Sequence, residues 1–205
     1  MRRPNLAIEK TVDGPVAGID EAGRGPLAGP VYAAAVVFER TPPRKLLRCI
    51  DDSKKLLPEE REAVFQWLPE YARIAVACAS VEEIDSLNIL WASMLAMRRA
   101  MTALTILPVL ALIDGDTTPP DIPCATRCLV GGDALSISIA AASIVAKVTR
   151  DREMANLAER YPGYGWEHNM GYATSEHRLA IDLLGINSQH RRTFRPISEL
   201  LTTSY

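Results

Sequence analysis

The chain has 205 residues, 48% of them hydrophobic and 23% charged, and a formal net charge of −2. That suits a globular protein with one good core and a small appendage. No apolar run is long enough to span a bilayer, and no secretory segment follows the basic start Met1-Arg2-Arg3, so the expected location is the cytoplasm. The near-neutral charge does not mark a nucleic-acid binder, although Arg44, Lys45 and Arg48, Lys54 and Lys55, Lys147, Arg150 and Arg152, and Arg191, Arg192 and Arg195 form basic clusters.

In chain order, Val16 to Ile19 reads as a buried strand that ends in Asp20-Glu21. A Gly/Pro-rich turn from Gly23 to Pro30 leads into a second strand, Val31 to Phe38, as a hairpin partner. Arg40 to Pro43 and Asp51 to Lys55 are loops. Pro58 opens a helix to about Leu68, and Ile74 to Ala79 is a third strand. Ser80 with Glu83 is a capping box for one long helix with the apolar stripe Ile84, Leu87, Leu90, Leu95, Met97 and Met101, ended by Pro108.

Val109 to Ile113 is a buried strand terminating at Asp114, and a proline-rich loop follows. Asp116 and Asp121 in that loop read as turn aspartates. Leu129-Val130 is a short strand before Gly131-Gly132-Asp133. Ile137 to about Arg160 is a strong helix, broken at Pro162 to Gly165, and a last helix runs from Ser175 to Leu184, stopped by Gly185. A strand meander followed by alternating helix and strand implies a mixed α/β sheet flanked by helices, with a helical C-terminal extension.

Asp20, Glu21, Asp114 and Asp133 fall at strand ends or in a turn beside one, so they can converge on one sheet edge. A bare cluster would repel itself and raise its own pKa values. Hard oxygen donors with no His or Cys nearby favour Mg²⁺ or Mn²⁺ over zinc. Two such ions about 3.5–4 Å apart can activate water and stabilise a leaving oxygen in phosphodiester hydrolysis. Each acid taken singly is equally a cap or turn residue, so spacing alone leaves both readings open. Cys49, Cys78, Cys124 and Cys128 show no zinc spacing and read as reduced, mostly buried thiols. Gly23-Arg24-Gly25 is either a hairpin turn or a phosphate-approaching loop in which Arg24 supplies donors.

Gly18-Ile19-Asp20-Glu21-Ala22-Gly23-Arg24-Gly25-Pro26 with Ala28-Gly29-Pro30 resembles the signature of type 2 ribonuclease H (ribonuclease HII). The resemblance continues in order through Asp52-Ser53-Lys54-Lys55-Leu56, Glu83-Ile84-Asp85, Asn88-Ile89-Leu90, Asp114-Gly115 and Gly132-Asp133. It extends through Ala141 to Asp151, Gly171-Tyr172-Ala173-Thr174 with His177, and His190-Arg191 with Phe194.

The resemblance implies a ribonuclease H-like fold, with a catalytic core over 1–165 and a helical subdomain over 166–205 completing the substrate groove. It implies a monomer that cuts the RNA strand of RNA–DNA hybrids, and cuts 5′ to single ribonucleotides in duplex DNA, with Mn²⁺ or Mg²⁺. Asp20, Glu21, Asp114 and Asp133 would hold the metals. Gly23, Arg24 and Gly25 would sense the ribose 2′-hydroxyl, Lys54 would contact phosphate, and Tyr172 would stack on sugar at the RNA-to-DNA junction. His177 and His190 are expected to be packing or capping residues. Arg24 between the glycines, and only about 15 residues before the first strand, separate the chain from type 3 enzymes. Met170, where many relatives have lysine, and the lack of a lysine just after Asp133 each remove a phosphate contact. A nucleic-acid-binding module of the same fold without catalysis and a different two-metal phosphoesterase are the competing classes; the intact acids disfavour the first and the Gly-Arg-Gly loop the second.

Overall fold

The computed structural model describes residues 3–203. Strand β1 (Val16–Ala22) pairs antiparallel with β2 (Val31–Phe38), and β2 pairs antiparallel with β3 (Ala72–Ala79). On the other side of β1 lies β4 (Leu110–Asp114), parallel to it, and β5 (Ala125–Leu129) runs parallel outside β4. The sheet order is β3-β2-β1-β4-β5, so β1 is central and covered on both faces, which is why its first residues form an unbroken apolar run. β1 continues past Ile19 because Asp20 and Glu21 keep their backbone in the ladder, opposite Ala34 and Ala33.

The helices are α1 (Arg44–Cys49), α2 (Pro58–Trp67), α3 (Val81–Leu87), α4 (Ile89–Thr102), α5 (Ile137–Arg160), α6 (Trp166–Asn169), α7 (Ser175–Leu184) and α8 (Ile197–Thr203). The alternation of β2 divides the core. Ala34 and Val36 join α1, α2 and the Ala-rich first half of α5 on one face. Ala33, Ala35 and Val37 join α4 on the other. Small side chains on both partners let α5 lie close to β1 and β2. Fully buried Ile19, Leu112, Ile113 and Ile139 each contribute about 1.5–3 kcal/mol of burial.

The expected strands, the Pro58 helix, α5 and α7 are all present. Several details differ. The single long helix after Ser80 is two helices, because Asn88 takes a left-handed φ of 68° and its Oδ1 accepts from the amides of Leu90 (3.0 Å) and Trp91 (3.3 Å), starting a new helix. Leu87 and Leu90 at this break are exposed, so the apolar stripe does not run unbroken into the core. α4 stops at Thr102, before Pro108. β5 lies at Ala125–Leu129 rather than Leu129-Val130, and Val130 is exposed. Helices α1, α6 and α8 were not anticipated. The cysteines are free as expected, but Cys49 is exposed and the other three are only partly buried.

The C-terminal segment packs as its own cluster on the distal half of α5. Tyr164, Trp166, Ala180, Ile181 and Ile197 meet Met154 and Leu157 of α5, and Leu27 and Ala28 of the glycine-rich loop. The Asp85 carboxylate of α3 fastens the tail, accepting from the amides of Arg192 (2.9 Å) and Thr193 (3.0 Å) and from the Thr193 hydroxyl (2.7 Å). Among the described residues no helix is long and apolar enough to cross a membrane.

Candidate active site

The parallel register sets the acids side by side. Ile19 is paired with Ile113, so Asp20 and Asp114 leave adjacent strands at the same level, with Glu21 one residue on. All three line one cleft of about 230 Å³. The loop residues Gly23, Arg24 and Gly25 form another wall of the same cleft, as do Lys54 and Tyr172. Asp133 does not line the cleft. It is 9% exposed, in the 3₁₀ turn Gly132–Ala134, near enough to Asp52, Asp114 and Lys54 to feel their charges, and the Gly132 amide donates to Asp114 Oδ1 at 2.7 Å.

Burial holds the Asp20 carboxyl well above the ordinary carboxylate range, and the charges of Glu21 and Asp114 push it further. Glu21 is also raised by burial, although Arg24 opposes the shift through an Nη1–Oε1 contact of 3.2 Å. Asp133 is raised by burial first, then by Asp52 and Asp114. Arg24 is half exposed, with its guanidinium on Glu21 at the wall of the cleft.

Three further cleft residues come from α5: Ser143, and Lys147 and Arg150, which the sequence presents only as part of a basic cluster. They stand at i, i+4 and i+7 on α5, one face of the helix, and this polar stripe on an apolar helix was the signal that could have found them. The Ser143 hydroxyl sits near the Asp20 carboxyl, where it opposes the upward shift, and lies 2.7 Å from Ser53 Oγ. Buried Arg61 fixes the Ser53–Lys54 loop by donating to the carbonyls of Ser53 (2.9 Å) and Leu56 (2.6 Å). Lys147 Nζ is held 2.6 Å from Asp151 Oδ1.

Tyr172 is 45% exposed at the mouth of the cleft. Its carbonyl is 2.9 Å from His177 Nδ1, which therefore carries the proton. His177 Nε2 is left to accept from Trp166 Nε1 at 2.9 Å. His190 Nδ1 accepts from the Asn187 amide at 3.0 Å, and its Nε2 lies 3.2 Å from His177 Nε2. Both rings are neutral, buried and fully used in packing, as expected of them. Burial, then His177, lowers His190 to about 4.

The sign of the resulting pH effect follows directly. Unfolded His190 takes up a proton near 6.5 and the folded residue only near 4, so its contribution is complete above pH 6.5 and is lost as pH falls toward 4. The acidic cleft titrates in the opposite sense. Urea unfolding of wild type and of His190→Gln should therefore be compared. The wild type is expected to lose on the order of 2 kcal/mol relative to the variant between pH 6.5 and pH 4. Parallel stability curves would contradict the assignment.

Among the described residues, no three His, Cys, Asp or Glu side chains are gathered closely enough to hold a metal ion as they stand. The acids line an open cleft instead. Their chemistry nevertheless fits a hard divalent cation. The cleft offers carboxylate oxygens and no imidazole or thiolate, and among the described residues the one ion pair made by Asp20, Glu21 or Asp114 is that of Glu21 with half-exposed Arg24. A mixed sheet delivering acids from the ends of two adjacent strands into such a cleft defines the ribonuclease H-like class of fold.

The family model described as Ribonuclease HII matches residues 17–197. A ribonuclease HII from Paramagnetospirillum magneticum is 52% identical over 199 residues, covering 97% of this chain and 98% of its own. The ribonuclease H2 structure from Pyrococcus horikoshii aligns with a TM-score of 0.77 at 28% identity, over 92% of this chain and 98% of that one. Bst-RNase HIII, solved in complex with Mn²⁺, shares the fold with a TM-score of 0.76 at 20% identity, over 97% of this chain and 73% of that one. The chain belongs to the ribonuclease HII family, and with it to the metal-dependent endoribonucleases.

Proposed function

We propose that this endonuclease hydrolyses the RNA strand of RNA–DNA hybrids and also cuts 5′ to single ribonucleotides embedded in duplex DNA, leaving 3′-hydroxyl and 5′-phosphate ends. The observation that carries this reading is the sharing of one cleft by Asp20, Glu21 and Asp114 with the Gly23–Gly25 loop and Tyr172. Negative charge beside a phosphate backbone serves no binding purpose by itself, so the acids are there for chemistry.

Asp20, Glu21 and Asp114 hold Mn²⁺ or Mg²⁺, and Asp133 joins them from its flank. Bound there, a two-ion set supplies an acidified water and charge stabilisation of the leaving oxygen. The protein does the rest. Lys54 binds a phosphate and sets the register of the strand. The Gly23-Arg24-Gly25 loop meets the ribose 2′-hydroxyl, the group that separates RNA from DNA. Tyr172 places its ring against the sugar at the RNA-to-DNA junction. Residues 1–165 act as the catalytic core, and the segment from residue 166 completes the groove, since it supplies Tyr172. The active species is a monomer.

A DNA duplex carrying one ribonucleotide tests the reading, incubated with and without Mn²⁺. A single nick 5′ to the ribonucleotide, only with metal, is expected. Cutting of all-DNA duplex, or binding without a nick, would refute it. Tyr172→Ala is expected to slow cutting at the single ribonucleotide by roughly 10-fold or more, the size of a lost stacking contact of 1–3 kcal/mol. An unchanged rate would show that the C-terminal segment does not reach the substrate.

A further inference from the structure

Arg191 is fully buried, lies outside the cleft lining, and makes no salt bridge among the described residues. A buried guanidinium without an anion is costly, and for stability alone an apolar side chain would serve. What it holds instead is backbone. Nη2 donates to the Gly23 carbonyl at 2.6 Å and to that of Gly29 at 2.8 Å, Nη1 to that of Arg24 at 3.0 Å, and Nε to Gly29 again at 3.0 Å. The guanidinium also packs on the Phe194 ring, 5.0 Å from its centre. Burial, and then the neighbouring Arg150, lower it to about 9, so it stays cationic at neutral pH.

The peptide bonds on either side of Arg24 are trans. In a trans peptide the N–H points opposite to the preceding C=O. With the carbonyls of Gly23 and Arg24 turned back onto Arg191, the amides of Arg24 and Gly25 turn outward, on the side where these residues line the cleft. Neither amide has an acceptor among the described residues, whereas further along the loop those of Leu27 and Gly29 are bonded to Gly171 O (2.7 Å) and Gln189 O (2.9 Å).

We infer that Arg191 is a positioning residue for ribonucleotide recognition: from behind the loop, it fixes two successive backbone donors toward the sugar hydroxyl. Its neighbour His190 contacts His177, which holds the Tyr172 carbonyl, so both walls that meet the sugar are set from one buried network. The inference rests on the function proposed above.

The test uses Arg191→Met and Arg191→Lys on the single-ribonucleotide duplex with Mn²⁺, alongside wild type. Failure of wild type to nick would sink the proposed function itself, whereas a nick by wild type leaves only the role of Arg191 in question. Arg191→Met is expected to lower kcat by roughly 10²-fold, the effect of a misplaced recognition group, with KM and all-DNA duplex binding little changed. Arg191→Lys, which keeps a donor and a charge, should recover part of the loss. An unchanged kcat, or a proportional fall in kcat and duplex binding as from partial unfolding, would overturn the inference. Should Arg191→Met not fold, amide exchange in the wild type decides. The Arg24 and Gly25 amides should exchange at close to open-chain rates while the Arg191 Nε proton is protected. Protected amides or an unprotected guanidinium would contradict it.

Discussion

Asp20→Asn is expected to cut the rate of metal-dependent cleavage by roughly 10³-fold or more and, at the same time, to make the metal-free protein more stable. The two effects share one cause. Asp20 is 6% exposed, and burial together with Glu21 and Asp114 raises its pKa. The folded state therefore holds the proton more tightly than the unfolded chain. The group's full contribution is present below its unfolded pKa near 3.8 and is lost as pH rises through the folded value. At neutral pH without metal, the ionised carboxylate works against folding, and a cation reverses that penalty. Asparagine keeps the acceptor for the Glu21 amide, which donates to Oδ1 at 2.7 Å, and removes only the charge. A rise in Tm of roughly 3 °C or more is expected near pH 8 in chelator, the size produced by about 1 kcal/mol in a domain of this length. The gain should vanish near pH 4, where wild type is itself protonated. Near-normal turnover, or a metal-free Tm below that of wild type, would contradict this reading.

Gly18→Ala carries the largest expected loss of stability. A Cβ at Gly18 would sit 2.0 Å from the carbonyl carbon of Ser138 and 2.3 Å from both the Ser138 oxygen and the Ile139 nitrogen. All three are backbone atoms, so no side chain can rotate away. Neither partner is free to move. Gly18 is locked between Val36 of β2 and Leu112 of β4. The start of α5 is pinned by the Ser136 cap and by Glu9 Oε1, which accepts from the Ser136 hydroxyl at 2.7 Å and the Ser138 amide at 3.0 Å. Overpacking of side chains typically costs 1–3 kcal/mol, and a backbone clash exceeds that range. A loss of at least about 3 kcal/mol is expected, or roughly 6–12 °C in Tm. The same contact brings Ser143 onto Asp20, so activity should fall even in the folded fraction. A variant that melts within a degree or two of wild type would show that β1 and α5 are not in such close contact.

The acids of the cleft are legible because two apolar strands end abruptly in Asp20-Glu21 and Asp114, and strand ends on one sheet edge are neighbours by construction. Asp133 was harder to place. A Gly-Gly turn can lead in several directions, and here it leaves the carboxylate beside Asp114 but off the cleft lining. The break at Asn88 was hidden because Ile84, Leu87 and Leu90 keep helical spacing straight through it; only the left-handed backbone and the cap reveal it. The roles of Arg150 and Arg191 could not be read locally. Clustered arginines normally indicate a solvated surface, but these two are buried because a distant loop turns carbonyls toward them. Arg150 donates to Ala28 (3.1 Å), Pro30 (3.1 Å) and Met170 (3.0 Å), as Arg191 does to Gly23, Arg24 and Gly29. Apart from the Arg150–Met170 contact, these bonds span more than a hundred residues of sequence and have no periodicity to betray them.

The grip of the carboxylates on cations is tested most directly by anomalous scattering from crystals soaked in Mn²⁺. A peak at ordinary oxygen-ligand distance, about 2.0–2.4 Å, from side chains of Asp20, Glu21 and Asp114 is the expected result. It should be missing from Asp20→Asn crystals soaked in the same way. Manganese bound only elsewhere on the molecule, or bound equally well by the variant, would contradict the account.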